Sequence, residues 1–458
     1  MVIALKVVQC RGRAMRRVIF LLFCVALLLT PKARAVDPAL QFGATPTEAA
    51  ALKAADGDHT AYTLPPEKLA KAVVLGRTFT TFEFAHEGWN ILQLVLFLSL
   101  GVAAWMQRVA VARSSNRWVQ GAIFCFLLLA LHTLLNLPLQ IYAHRVVIQY
   151  GLSIQGWASW ALDLLKSLAV FYLLGTLGVM GFFWTVRRSP QRWWLWFAGL
   201  VSVAIVVGAF ATPYVYDPLF NQFTPMQKTN PELVAELEKV VARGGKGIAI
   251  PPERMFIMKA SDKVTTTNAY VTGFGGSKRV VVWDTSLASG NRDDVLAMFA
   301  HEMGHYVLGH VALGMGLSML SLVLEFWLGY HAARWLIQRY GGRWRVGTQQ
   351  DWAALVVFLL VLAVFSFLTE PVANGVSRWM EHNADVYGQE ALHGIVADPA
   401  AVTAASFQHL GEQALDDPET EEWVELWLDT HPSIARRAAF AKHYDPWGVG
   451  GKPKYFER

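Results

Sequence analysis

The chain has 458 residues, of which 54% are hydrophobic and only 16% are charged. Soluble domains carry about 25% charged residues, and the mean hydropathy of this chain is +0.32. The composition therefore excludes a soluble globular enzyme, a disordered chain and a nucleic-acid-binding module. The net charge of +5 is explained by arginine-rich turns between membrane spans. A polytopic membrane protein is predicted.

The N-terminal segment, residues 1–35, predicts either a secretory signal peptide or a first transmembrane helix. Two arginines precede a short apolar core, and Ala33 and Ala35 provide the small residues of a cleavage site. The apolar core is short for a membrane span, but an uncleaved first helix stays an open alternative. Residues 36–88 follow as a polar segment, which we expect on the extracytoplasmic side.

Six apolar runs are long enough to cross ~30 Å of hydrocarbon as helices. They lie at about 89–106, 118–139, 160–186, 193–211, 311–336 and 351–369. Together with the N-terminal segment they predict about seven membrane helices. No internal repeat is visible, which argues against a transporter built from two similar halves.

Clusters of arginine predict the orientation of the chain. If every hydrophobic segment crosses the membrane once, all the clusters fall on one side. They are formed by Arg16, Arg17, Arg108, Arg113, Arg117, Arg187, Arg188, Arg192, Arg339, Arg343 and Arg345. The positive-inside rule makes that side cytoplasmic. Residues 212–310 and 371–458 then face the other side, which for a bacterial-looking signal is the periplasm.

The motif His301-Glu302-Met303-Gly304-His305 predicts a zinc site. Residues i and i+4 of a helix share a face, so both imidazoles can bind one Zn²⁺ ion in an open catalytic site. Glu302 then lies beside the ion and can take a proton from water. The alternative is a chance match on a surface helix. However, this helix leads into a membrane span, where clustered ionisable groups need a reason.

Glu381 is the candidate third ligand, because catalytic zinc sites use three protein ligands. It lies two apolar runs beyond His305 and four residues before Asp385. A hairpin of two spans begins and ends on one side of the membrane, which returns Glu381 to the level of His301. Asp385 shares its helical face and can fix the tautomer of a ligand imidazole or pass a proton. An ordinary solvated acidic pair is the alternative.

With these motifs the chain resembles the Ste24-type CAAX prenyl proteases, the M48 zinc metallopeptidases. The likeness runs from about residue 89 to 445. It is carried by HExGH with a distant ExxAD, by segments 218–225, 268–274 and 278–285, by His310, and by His431-Pro432 with Arg437. It implies a mainly α polytopic membrane protein, with about seven transmembrane helices around a water-filled chamber and a small α+β zincin-like catalytic domain.

The resemblance also implies roles for three further residues. Asn268 and the strand 268–274 would bind the substrate backbone as an added strand. His431 would stabilise the oxyanion or position the substrate, and Arg437 would contact the substrate. From the residues alone, Asn268 is a turn residue, His431 is a structural histidine before a proline, and Arg437 pairs with a nearby carboxylate.

Around these motifs the chain divides into six segments. They are the signal peptide or first transmembrane segment at 1–35, a polar segment at 36–88, transmembrane helices at 89–211, a catalytic domain at 212–310, a transmembrane hairpin at 311–370, and a C-terminal catalytic part at 371–458. Glu325 lies inside an apolar run and should face the chamber or a partner rather than lipid.

The sequence thus predicts a zinc metalloendopeptidase with one Zn²⁺ per chain, acting on peptide or protein substrates in a bacterial inner membrane. Family members with a cytosolic catalytic domain suggest the opposite orientation, so a CAAX substrate is not carried over. One alternative is a zinc-stabilised membrane scaffold or chaperone, which would have no use for Glu302. Another is a transporter or channel. The sequence does not indicate the oligomeric state.

Overall fold

The structure, a computed structural model, describes residues 37–244, 250–288 and 291–457. The predicted signal peptide or first span at 1–35, with Arg16 and Arg17, lies outside the described residues. Within them the chain is mainly helical and contains one small sheet.

The described N-terminal half is helical, and its long apolar helices suit hydrocarbon because a helix satisfies its own backbone hydrogen bonds. Its helices are α1 (Pro38–Gln41), α2 (Pro46–Ala55), α3 (Pro66–Ser99), α4 (Val102–Arg113), α5 (Arg117–Gln149), α6 (Trp157–Arg188), α7 (Trp193–Ala211) and α8 (Tyr216–Phe220).

The C-terminal half combines a sheet with further helices. Its elements are β1 (Phe223–Pro225), α9 (Met226–Thr229), α10 (Pro231–Arg243), a 3₁₀ turn (Pro252–Arg254), β2 (Met255–Met258), β3 (Ala269–Thr272), a 3₁₀ turn (Gly275–Ser277), β4 (Arg279–Trp283), α11 (Asp284–Ala288), α12 (Arg292–Val307), α13 (His310–Trp344), α14 (Ala354–Ala391), α15 (Pro399–Ala414), α16 (Glu422–Leu428) and α17 (Ile434–His443).

The first predicted span differs from the observed helices. α3 begins at Pro66, so the predicted boundary at 88/89 lies inside a continuous helix. The apolar run 89–106 is interrupted where Gly101 adopts φ 73°, a left-handed conformation that glycine adopts without steric cost. α3 and α4 consequently meet at a bend of 63°.

Among the described residues, five helices are long and apolar enough to cross a membrane, or up to six if α3 and α4 form one bent span. The five are α5, α6, α7, α13 and α14. Large apolar side chains point outward from them, as in Phe171, Trp196 and Leu320, which are 65%, 62% and 69% exposed. Such a surface suits lipid rather than water. A seventh span would have to lie outside the described residues.

α14 has 38 residues, which makes it roughly 57 Å long. Because the hydrocarbon core is only ~30 Å thick, its C-terminal part extends beyond the membrane. The predicted boundary at 370/371 is therefore another division inside one helix. The residues after it, including Glu381, continue the same helix into a region where the side chains are buried by protein.

Loops at one end of the helix bundle contact each other. Arg117 stacks over the ring of Trp352 at 4.9 Å, and Trp193 Nε1 donates to Gln349 Oε1 at 3.1 Å. At the other end Ser153 Oγ donates to the carbonyl of Lys263 at 2.9 Å. The arginine-rich loops and the sheet thus lie at opposite ends of the bundle.

The sheet has the strand order β1-β2-β4-β3. β2 and β4 are parallel, whereas β1 pairs with β2 and β3 pairs with β4 in antiparallel register. Val280 and Val282 of β4 are fully buried and belong to the same apolar cluster as Phe299 of α12. Because β3 is last in the strand order, it is an edge strand of the described sheet, and it lies beside α12.

Candidate active site

The first two predicted metal ligands lie on one face of α12. Asn291 caps this helix by accepting a hydrogen bond from the backbone N–H of Asp293 at 3.1 Å, which satisfies a free donor at the helix start. Three turns later, His301 Nε2 and His305 Nε2 lie 3.1 Å apart. The i, i+4 spacing therefore brings the two imidazole nitrogens to one point.

The third predicted ligand comes from α14. Glu381 Oε2 lies 3.2 Å from His301 Nε2, and Glu381 Oε1 lies 3.3 Å from His305 Nε2. One ligand atom from each of the three side chains lies within 4.8 Å of the other two. The structure thus brings together the three residues that the sequence predicts to bind one metal ion.

Two glycines allow α12 and α14 to approach this closely. A Cβ atom on Gly304 would lie 2.9 Å from the Cα of Ala384, and one on Gly388 would lie 2.8 Å from the backbone nitrogen of His301. Real Cβ atoms essentially never come this near to backbone. Gly304 is part of the HExxH motif, but nothing in the sequence pointed to Gly388.

Each of the two predicted ligand histidines has a second partner. His301 Nδ1 lies 2.7 Å from Asp385 Oδ1, and Arg437 donates to both oxygens of Asp385, at 2.7 and 2.9 Å. His305 Nδ1 lies 3.0 Å from His310 Nδ1. Outer partners of this kind orient ligand imidazoles and set their tautomers.

The electrostatics of the site favour a cation. Burial works against protonation of His301, but Asp385 and Glu381 outweigh it and raise the pKa of this imidazole well above its ordinary value. A metal ion competes with that proton for the imidazole nitrogen. Burial also raises the pKa of the Glu302 carboxyl, a direction that suits a group that takes up a proton.

Glu302 faces the edge strand β3. Trp283 of β4 donates its N–H to the carbonyl of Asn268 at 3.0 Å. In an antiparallel pair the backbone N–H and C=O groups of successive residues face the partner strand and the opposite edge in alternation. Val271 accordingly donates its backbone N–H to Glu302 Oε2 at 3.3 Å. The carboxyl predicted as general base therefore lies beside a strand edge that has no pairing strand among the described residues.

The backbone of Asn268 is held by Ser286, a residue that no sequence motif singled out. Ser286 Oγ accepts from the N–H of Asn268 at 2.9 Å and donates to its carbonyl at 2.8 Å. Asn268 lines a cavity of about 140 Å³ together with His301, Glu302 and His431. The hydroxyl of Ser286 thereby holds the start of β3 beside the predicted metal ligands.

His431 and Arg437 reach the site from the C-terminal part. His431 Nε2 lies 3.3 Å from Glu381 Oε2, and burial lowers the pKa of its imidazole. Arg437 lines the same cavity, but its guanidinium is buried against Asp385. Every predicted site residue is therefore found around His301, His305 and Glu381, with Arg437 behind them.

Glu325 is not part of this site. It accepts a hydrogen bond from Ser321 of its own helix at 2.6 Å and lines an apolar cavity of about 250 Å³ between α6, α7, α13 and α14.

Membrane-spanning helices, a small sheet and a cluster of two histidines and a glutamate define the class of a membrane metallopeptidase. Comparison with known proteins supports this assignment. Residues 55–222 match the family described as CAAX prenyl protease N-terminal, five membrane helices, and residues 227–445 match Peptidase family M48.

Named relatives agree with the family match. The uncharacterized metalloprotease YhfN of Bacillus subtilis is 31% identical over 394 residues, which cover 86% of this chain and 89% of that protein. The CAAX prenyl protease 1 homolog of Oryza sativa subsp. japonica is 24% identical over 83% of this chain and 88% of its own. CAAX prenyl protease 1 of Saccharomyces cerevisiae is 26% identical over 71% of this chain and 76% of its own. The chain belongs to peptidase family M48, and the resemblance seen in its motifs is confirmed.

A solved structure shows the same fold. The crystal structure of S. mikatae Ste24p aligns with a TM-score of 0.70 at 22% identity and covers 87% of this chain and 99% of that chain. The expected architecture, a mainly helical membrane protein whose helices surround a chamber, is therefore confirmed.

Proposed function

We propose that this M48 peptidase is a zinc-dependent endopeptidase with His301, His305 and Glu381 as the metal ligands. The proposal is carried by one observation: the ligand atoms of these three side chains lie within 4.8 Å of one another. Two imidazoles and one carboxylate form a donor set that zinc accepts in catalytic sites. Zinc bound there would polarise the scissile carbonyl and make a water molecule more acidic.

Glu302 is proposed as the general base. Its carboxyl lies next to His301 in sequence and beside β3 in space, where it accepts the N–H of Val271. It would take a proton from the attacking water and later give that proton to the leaving amine. The raised pKa of Glu302 supports the second half of this cycle, because it lets the carboxyl hold the proton between the two transfers.

The substrate is proposed to bind along the free edge of β3. Backbone groups on an unpaired strand edge bind an extended peptide irrespective of its side chains. Asn268 stands at the start of this edge, and its backbone is held by Ser286. His431, near Glu381, would donate to the oxyanion that forms on the scissile carbonyl. This arrangement suits cleavage within a chain.

Asp385 and Arg437 are proposed to support the site from behind. Asp385 accepts from His301 Nδ1 and would keep the lone pair of Nε2 directed at the metal. Arg437 forms a two-pronged contact with Asp385 and fixes the orientation of that carboxylate. The predicted substrate contact of Arg437 stays a prediction, since Asp385 already occupies its guanidinium.

We further propose that the enzyme lies in a bacterial inner membrane with its site on the periplasmic side. The support is the separation between the arginine-rich loops and the metal ligands, combined with the positive-inside rule. Relatives are named CAAX prenyl proteases. In this location the proposed role is the processing or quality control of membrane or secreted proteins.

The test is peptide cleavage by purified protein in detergent or lipid nanodiscs. A fluorogenic peptide library should be cleaved at internal bonds, cleavage should stop with a zinc chelator, and added zinc should restore it. Zinc binding without cleavage would favour the scaffold or chaperone alternative. Cleavage that survives complete removal of metal would overturn the proposal.

A further inference from the structure

A buried arginine links three parts of the chain near the metal ligands. Arg378 is 1% exposed and lies on α14, three residues before Glu381. Its Nε donates to Asp37 Oδ2 at 2.8 Å. Its Nη1 donates to the main-chain carbonyls of Glu425 and Asp429, each at 2.9 Å. None of these groups belongs to the metal site described above.

The two carbonyls mark the C-terminal end of α16. Asp429 is the residue that follows this helix, and helix ends leave carbonyls that attract a positive charge. His431 follows Asp429 by two residues, and its Nε2 lies 3.3 Å from Glu381 Oε2. Arg378 thus connects the helix that carries the third metal ligand to the loop that carries His431.

Asp37 provides the compensating charge. A buried guanidinium needs a partner, and within the described part of the chain Asp37 is the carboxylate that lies within 4.0 Å of Arg378. Asp37 is itself held in place, since its Oδ1 accepts the N–H of Ala39 at 2.9 Å and caps α1. The segment before α3 therefore reaches the region of the active site.

We propose that Arg378 and Asp37 are positioning residues that hold loop 429–431 so that His431 faces Glu381. The inference rests on the role proposed above for His431. A planar guanidinium can donate hydrogen bonds to Asp37 and to both carbonyls at once, whereas the single ammonium group of lysine cannot reproduce this geometry. Among the described residues the side chain of Arg378 bonds to Asp37 and to the two carbonyls and not to His301, His305 or Glu381. Its effect on cleavage therefore passes through His431.

The test is a double-mutant cycle on kcat and KM with Arg378→Lys and His431→Gln. Each single variant should lower kcat roughly 10²-fold, because misplacing or removing one oxyanion donor has this effect. KM and the zinc content should stay near those of the wild type. In the His431→Gln background, Arg378→Lys should lower kcat by less than about 3-fold, because residues that act as a unit are not additive.

The positioning role would be overturned if the kcat losses of the two single variants multiplied in the double variant, or if Arg378→Lys lost zinc. Either result would leave the proposed protease function intact. If His431→Gln retained full kcat, both the role of His431 and the inference would fail. Absence of zinc-dependent cleavage by the wild type would instead overturn the proposed function itself.

Asp37 provides a milder variant should Arg378→Lys not fold. Asp37→Asn should lower kcat about 10-fold and Asp37→Glu should recover part of this loss, because a carboxylate restores the charge pair. The matched control is Asp58→Asn, which removes a carboxylate from the same N-terminal segment. Asp58 pairs with Lys442 of α17 at 3.0 Å and does not contact Arg378. Equal kcat losses in Asp37→Asn and Asp58→Asn would contradict a specific positioning role.

Discussion

At the residue scale, His305 shows how a ligand imidazole is held from both sides. Its Nε2 lies among the other two ligands, and its Nδ1 lies 3.0 Å from Nδ1 of the buried His310. One ring must donate a hydrogen to the other for this contact to be favourable. When His305 donates its Nδ1–H to Nδ1 of His310, the lone pair of His305 Nε2 is left free to bind a metal.

We expect His310→Leu to weaken zinc binding about 10–100-fold, as loss of an outer partner of a ligand histidine usually does. His310→Gln retains a hydrogen-bonding group and should lose less. Competition with a chromophoric zinc chelator measures both affinities. Wild-type affinity in His310→Leu would show that the contact does not support the metal.

Metal removal should be visible in the stability of the protein. A ligand that binds only the folded state stabilises it by about 2.7 kcal/mol at 100 times its Kd. Zinc should therefore raise the melting temperature of the metal-free wild type and leave that of Glu381→Ala almost unchanged. Thermal shift in matched detergent checks this, and an equal shift in both proteins would exclude Glu381 as a ligand.

The clustering of His301, His305 and Glu381 could be predicted because it follows from the geometry of one helix and from the return of a two-span hairpin. Ser286 and Gly388 could not, because their roles depend on backbone atoms that are distant in sequence. Ser286 binds the backbone of Asn268, and Gly388 is set against His301. No local spacing rule connects these pairs.

At the element scale, the site depends on the close contact between α12 and α14. Gly388→Ala would place a methyl group 2.8 Å from the backbone nitrogen of His301, so one of the helices must shift. Overpacking of this kind costs about 1–3 kcal/mol and moves Glu381 relative to the histidines. We expect a lower melting temperature and weaker zinc binding.

Gly316→Ala on α13 is the control for this prediction, since a Cβ there meets nothing within 4 Å. In a helix, alanine is favoured over glycine by up to about 1 kcal/mol, so this variant should be as stable as the wild type or more so. If Gly388→Ala kept the wild-type melting temperature and zinc affinity, the close contact between α12 and α14 would not be required.

Five of the six apolar runs fall on helices that are long and apolar enough to cross the membrane, but the runs did not predict where these helices begin or end. α3 starts well before its apolar part, and its N-terminal region pairs with α15 through Lys68 and Glu412 at 2.7 Å. α14 continues to Ala391 because its polar end is buried by other parts of the chain. Because these helix ends depend on partners that are distant in sequence, the local amino-acid composition does not predict where the helices begin or end.

At the scale of the whole molecule, the arginine-rich loops and the predicted metal ligands lie at opposite ends of the helix bundle. Single cysteines introduced into a variant without native cysteines can test the orientation. Glu419→Cys, near α16, should react with a membrane-impermeant maleimide from the periplasmic side. Thr348→Cys, in the loop before α14, should react with the maleimide only after the membrane is permeabilised. The reverse pattern would place the site in the cytoplasm.

We propose above all that Glu302 carries out peptide hydrolysis with a zinc ion that it does not itself bind. The most direct measurement is a mass-spectrometric cleavage profile of a peptide library, with zinc content determined on the same samples of wild type and Glu302→Gln. The wild type should produce internal cleavages, whereas Glu302→Gln should retain about one zinc per chain and produce none. Cleavage by Glu302→Gln at the wild-type rate would contradict the claim.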